Sequence, residues 1–155
     1  HGRSAASRLV TGLTHVRFVV DDFAPMLAFY RDALGFKVVV DVPQVYVELD
    51  TGAARIGLCS RGLMEGVVGA PMPAGAQGDV VFQFGVVDVD AAADLLKRRN
   101  VAWATAPHDQ PAWVMRVFHV RDPAGHLLEM TTPLAAAARA AETAPAATAG
   151  TPARP

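Results

Sequence analysis

Between Leu13 and Pro133 the order strand, helix, strand, strand, strand occurs twice, and this internal repeat restricts the fold more than any other feature. The stretch "LTHVRFVVDD" alternates, with Val16, Phe18 and Val20 on one face and His15, Arg17 and Val19 on the other. Asp22 is placed to cap a helix, "FAPMLAFYRDALG", whose apolar stripe is Phe23, Leu27, Tyr30 and Leu34 and which Gly35 closes. Three strands, "FKVVVDV", "QVYVELD" and "ARIGLCS", follow, the last two joined by a "DTG" turn. From residue 80 the pattern restarts. "VVFQFGVVD" places Phe82, Phe84 and Val86 on one face, and Asp88 is placed to cap "VDAAADLLKRRN". "VAWAT", "WVMRVFHVRD" and "HLLEMTT" complete the second set, with "DPAG" where "DTG" stood.

The expected architecture is therefore α+β, with two tandem βαβββ modules whose sheets form a cup and whose helices lie outside it. The boundaries read as an N-terminal extension (1–12), a first module (13–60), a Gly- and Pro-rich linker (61–79), a second module (80–133) and a tail (134–155). From Ala135 onward there is no large apolar side chain, so this Ala-, Pro- and Thr-rich tail is expected to be disordered. Ala135–Ala144 is nevertheless compatible with a helical extension. The opening "HGRSAAS" is set aside from the fold argument.

Charge and cysteine content narrow the function. The 14 Lys and Arg against 15 Asp and Glu are scattered, which excludes the basic stripe of a nucleic-acid or membrane binder. No apolar run is long enough to span a bilayer. A single cysteine, Cys59, and the absence of a signal-peptide pattern favour a cytoplasmic protein. Cys59 has no base nearby in the sequence, so it is not read as a nucleophile.

Registering the two modules on Asp22 and Asp88 places His15 over Val81, Arg17 over Gln83, and Glu129 over Gly57. The helix-free face of the modules then carries His15, Arg17, Arg55, Gln83 and Glu129. Glu129 lies among Leu127, Leu128 and Met130, and a carboxylate in such company asks for a cation, a metal or several donors. Arg17 and Arg55 suit an anionic or carbonyl-bearing ligand, or else pair with Glu48 or Glu129. Trp113 and Met115, after the proline turn of "HDQPAWVMR", suit a planar ligand, and core packing of the tryptophan explains it equally well. His119 and Tyr30 are read as structural.

The motifs "HVRFVVDD", "AFYRDALGFKVV", "VVDVDAAADLLKRRNVAW" and above all "VRDPAGHLLEM" resemble the vicinal oxygen chelate superfamily, which includes glyoxalase I, extradiol dioxygenases and bleomycin resistance proteins. In its metal-using members, pseudo-symmetric positions of the two modules hold a divalent ion. The resemblance puts two such ligands on His15 and Glu129, while the matching positions hold Val81 and Gly57, which cannot ligate. The resemblance thus implies a binding protein of the bleomycin-resistance type, without cofactor, that sequesters a small, partly aromatic molecule in the cleft through Arg17, Arg55, Gln83, Trp113 and Met115. The alternative it implies is a metal-dependent enzyme of the glyoxalase or dioxygenase type, with a third ligand such as His119 or Glu48. It also implies a homodimer, since relatives close their cups within a chain or across a two-fold axis.

Overall fold

The computed structural model describes residues 9–75 and 78–143. The chain divides into two units: residues 1–77 with 122–124, and residues 78–121 with 125–155. Each contains a four-stranded mixed sheet, so the α+β class and the tandem modules expected from the repeat are found. No helix among the described residues is long and apolar enough to cross a membrane.

In the first unit β1 (His15–Val20) leads through α1 (Phe23–Leu27) to β2 (Lys37–Val42), β3 (Tyr46–Asp50) and β4 (Arg55–Ser60). The sheet order is β1-β4-β3-β2, with β1 and β4 parallel and the other pairs antiparallel. Phe18, Val20, Val47, Leu49, Ile56 and Leu58 are buried, the alternation expected when a helix covers one face of a sheet. Asp22 sits at the start of α1 but its side chain makes no capping bond. After Leu27 the helix widens into a π turn over Ala28–Ala33, with the Leu34 N–H donating to the Phe29 carbonyl at 3.0 Å. This changes the apolar stripe: Phe23, Met26, Phe29 and Tyr30 are buried, whereas Leu27 and Leu34 are only half-buried. The wider turn lets the consecutive aromatics Phe29 and Tyr30 share the core, where Tyr30 stacks on Phe18 at 5.5 Å and meets Phe29 edge-on at 5.0 Å.

Part of the stretch expected to be linker is a helix, α2 (Arg61–Val68). Its caps were present in the sequence: the Ser60 hydroxyl accepts from the Leu63 N–H, and Gly69 takes the left-handed conformation, φ 76°, that ends it. Arg61 fastens the helix by donating to both oxygens of Asp21 at 2.9 Å and to the Met72 carbonyl at 2.9 Å. Residues 76–77 lie outside the described residues.

The second unit repeats the order with β5 (Val81–Gly85), α3 (Val89–Arg98), β6 (Trp103–Gln110), β7 (Met115–Arg121) and β8 (Leu127–Pro133), in sheet order β5-β8-β7-β6. Here the expected cap forms, with Asp88 Oδ1 accepting from the Ala91 N–H at 3.1 Å. Arg116 ties the helix to the sheet through Asp90 and Asp109, at 2.8 and 2.9 Å. Where composition suggests a tail from residue 134, Leu134–Thr143 forms α4, whose first N–H donates to the Val114 carbonyl. Alanine is the strongest helix former, so six alanines in ten residues hold this helix although none of its residues is fully buried. The rest of the expected tail, 144–155, and residues 1–8 lie outside the described residues.

Candidate functional site

On the helix-free face of the first sheet, strand register brings three side chains onto one carboxylate. Glu48 on β3 lies opposite Gly57 on β4, which lies opposite Arg17 on β1, while His15 lies opposite Arg55 one step away. Glu48 is buried, and it accepts from the Tyr46 hydroxyl at 2.8 Å and from Arg55 Nη1 at 2.7 Å. His15 Nε2 lies 2.7 Å from its Oε1. The Tyr46 hydrogen bond holds the Glu48 carboxyl below its usual range, against the upward push of burial and with help from Arg55 and His15. The same bond, after burial, raises the Tyr46 phenol, while Arg17 opposes the rise. The Arg17 guanidinium sits 5.6 Å from the centre of the Tyr46 ring, in cation–π range.

Gly57 makes this arrangement possible. A Cβ there would lie 3.0 Å from the Tyr46 hydroxyl and 3.1 Å from Arg17 Cγ. The phenol thus occupies the space that a side chain at 57 would need. Gly57→Ala is expected to cost about 1–2 kcal/mol, because ring and guanidinium must move apart; an unchanged thermal midpoint would show that the stack yields freely.

On the same face of the second sheet, one row runs Thr105 on β6, His119 on β7, Glu129 on β8 and Gln83 on β5. His119 Nε2 lies 2.8 Å from Glu129 Oε2, and its Nδ1 lies 2.6 Å from the Thr105 hydroxyl oxygen. His119 and Glu129 are largely buried, with side chains 15% and 13% exposed. This answers what the carboxylate at 129 pairs with: a histidine directly opposite it on the neighbouring strand. Glu48 and His119 occupy the same row position in their two modules, so one registers a carboxylate where the other registers an imidazole. Met115 spans the face, its sulfur 3.1 Å from the Thr131 hydroxyl and 3.5 Å from Gln83 Nε2. Trp113 belongs to a short 3-10 turn, Pro111–Trp113, and is 58% exposed, so it is not a core residue.

The sequence-derived candidates therefore separate by unit. His15 and Arg55 meet Glu48, while Arg17 lies over the Tyr46 ring; Gln83 and Met115 touch each other, and Glu129 binds His119. Tyr46, Thr105 and His108 were not singled out from sequence. Cross-strand register would have pointed to Thr105, but β6 shifts register on both sides of it, which the sequence does not announce; Tyr46 reaches Glu48 from two residues away on the same strand. Cys59 is buried and its thiol contacts the Ser60 carbonyl, consistent with an inert role.

The donor set does not fit the divalent ion that the family resemblance implies. Val81 and Gly57 offer no donor atom, and the Glu48 carboxylate already faces Tyr46, Arg55 and His15, an arginine being a poor neighbour for a metal. Among the described residues no three His, Cys, Asp or Glu side chains gather as a metal-holding group.

A family model for the Glyoxalase/Bleomycin resistance protein/Dioxygenase superfamily matches residues 12–130. The uncharacterized protein YraH of Bacillus subtilis (strain 168) is 35% identical over 122 residues, covering 76% of this chain and 95% of that protein. A lactoylglutathione lyase from Agrobacterium tumefaciens superposes with a TM-score of 0.63 at 25% identity, covering 79% of this chain and 93% of its own. A glyoxalase/bleomycin resistance protein/dioxygenase from Nocardioides shares the fold, with a TM-score of 0.65 at 22% identity, over 79% of this chain and 83% of that one. With a repeat, a sheet order and a family match that agree over nearly all the described residues, the chain belongs to the Glyoxalase/Bleomycin resistance protein/Dioxygenase superfamily.

Proposed function

We propose that the protein is a small-molecule binder similar to bleomycin resistance proteins, which sequesters a partly aromatic, anionic ligand without a metal. The observation that supports this reading is that Glu48, the carboxylate beside His15 that could serve as a third ligand, is already engaged by Tyr46, Arg55 and His15. The exposed Arg17, stacked on Tyr46, offers a forked donor beside an aromatic face, which suits a planar carboxylate. Arg55, Gln83, Met115 and Trp113 complete the residues assigned to ligand contact. We assign the protein to the cytoplasm and to a homodimeric state on the same reading.

Two measurements test it. In a thermal-shift screen of planar aromatic acids and natural products, a hit at about 100 times its Kd should stabilise the wild type by roughly 2.7 kcal/mol. Arg17→Ala or Trp113→Ala should lose most of that shift; equal shifts in all three proteins would place binding elsewhere. Equilibrium dialysis against zinc, manganese, nickel and iron in turn should give far less than one ion per chain. Stoichiometric binding abolished by His15→Ala would instead favour the metal-dependent enzyme.

A further inference from the structure

Thr105, His119 and Glu129 stand directly opposite one another on three consecutive strands of the second sheet, joined by two contacts through the two nitrogens of one imidazole. The direction of these bonds follows from chemistry. A carboxylate only accepts, so Glu129 requires the proton on His119 Nε2. A neutral imidazole then presents a lone pair at Nδ1, and the Thr105 hydroxyl must donate to it. The hydroxyl proton is thus aimed at a base whose ring is fixed from behind by a carboxylate, while Thr105 itself is an exposed residue. Three further features set this row apart. The matching row of the first unit reads Val40, Glu48, Gly57, so the relay is not an automatic product of the fold. Register shifts on both sides of Thr105 lift β6 out of regular pairing at this residue, as occurs next to reactive positions. His108 adds a second imidazole 6.1 Å from the first, its Nδ1 engaged by the Ala106 carbonyl.

We propose that this row is a hydroxyl–imidazole–carboxylate relay that makes Thr105 a nucleophile toward activated carboxylic esters. In the acylation step the Thr105 oxygen bonds to the ester carbonyl carbon and the bond to the leaving alcohol or phenol breaks. The threonine proton passes to His119 Nδ1 and from there to the leaving oxygen. Water then attacks the acyl-threonine, giving its proton to His119, and the carboxylic acid departs as the proton returns to Thr105. Glu129 keeps the ring oriented and stabilises its protonated form during both steps, and its contact with His119 is what a carbon chain at 129 could not replace. This activity is separate from ligand binding by Arg17 and Trp113, so either reading can fail without the other.

The test uses the full chain and p-nitrophenyl acetate. Wild type should release p-nitrophenolate with an initial burst, and peptide mass spectrometry should find the acetyl group on Thr105. Thr105→Ala should lower the release rate by about a hundredfold, the scale of a positioned acid–base group, and lose the adduct. Thr105→Ser, which restores a hydroxyl at the same place, should retain both. Glu129→Gln should slow acylation while replacement of an exposed residue of the other sheet, Lys37→Ala, leaves it unchanged, and circular dichroism establishes that each variant is folded. Release by Thr105→Ala at the wild-type rate, acetylation of a lysine or tyrosine in place of Thr105, or no release above buffer would each overturn the proposal.

Discussion

Replacing Tyr30 by alanine is expected to lower the stability by about 3–5 kcal/mol, the cost of deleting a fully buried aromatic side chain. Tyr30 has no exposed surface, stacks on Phe18, meets Phe29 edge-on and donates its hydroxyl proton to Asp122 Oδ2 at 2.7 Å. Asp122 is itself buried, and its other oxygen accepts from the Ala124 N–H at 2.9 Å, so one carboxylate fastens the 122–124 turn and receives the phenol. Burial, reinforced by that carboxylate, raises the phenol well above the ordinary tyrosine range, which keeps it a hydrogen-bond donor at neutral pH. Tyr30→Phe isolates the hydrogen bond. Loss of a bond to a charged, buried acceptor should cost about 1.5–3 kcal/mol. For a chain of this length that corresponds to a fall of roughly 3–12 °C in thermal midpoint. A double-mutant cycle with Asp122→Asn should recover most of that cost as coupling. If Tyr30→Phe melted with the wild type, the bond would be energetically idle.

The second large effect is expected at Glu48. Glu48→Ala leaves Arg55 and His15 close together without their shared anion and Tyr46 without its acceptor, which should cost about 2–3 kcal/mol. That lies below the cost of breaking a fully buried pair, because Arg55 and His15 are partly exposed, at 46% and 31% of their side chains. Glu48→Gln keeps the shape and should lose less. The pH dependence follows from the direction of the shift. The Glu48 carboxyl titrates lower in the folded chain than in the unfolded one, so its contribution is complete above the ordinary carboxylate range. It is lost as the pH falls through the folded value. Stability measured by urea denaturation between pH 7 and pH 3 should therefore decline more steeply for wild type than for Glu48→Gln. Parallel curves would mean that Glu48 is no better held in the folded state than in the unfolded one.

The sequence by itself determined the two-module α+β order, the strands and their faces, because a period of two against a period near 3.6 is a local property that repeats visibly. It also determined the family, through the run that ends in "RDPAGHLLEM", and the loss of ligating residues at Val81 and Gly57. Local signals were sufficient even where they were overlooked: Ser60 and Gly69 bracket α2 by capping chemistry alone. Tertiary structure decided the partners. Whether Glu129 met a metal, an arginine or a histidine depended on which β7 residue stood opposite it, and the register of β7 against β8 is fixed by the turn between them and by pairing rather than by the preference of either strand alone. The same holds for Tyr46, whose ring crosses Gly57 because no Cβ stands there, and for the π turn that buries Phe29 and Tyr30 side by side. Side-chain type follows from the chain; the neighbour that gives it a chemical role follows from the sheet.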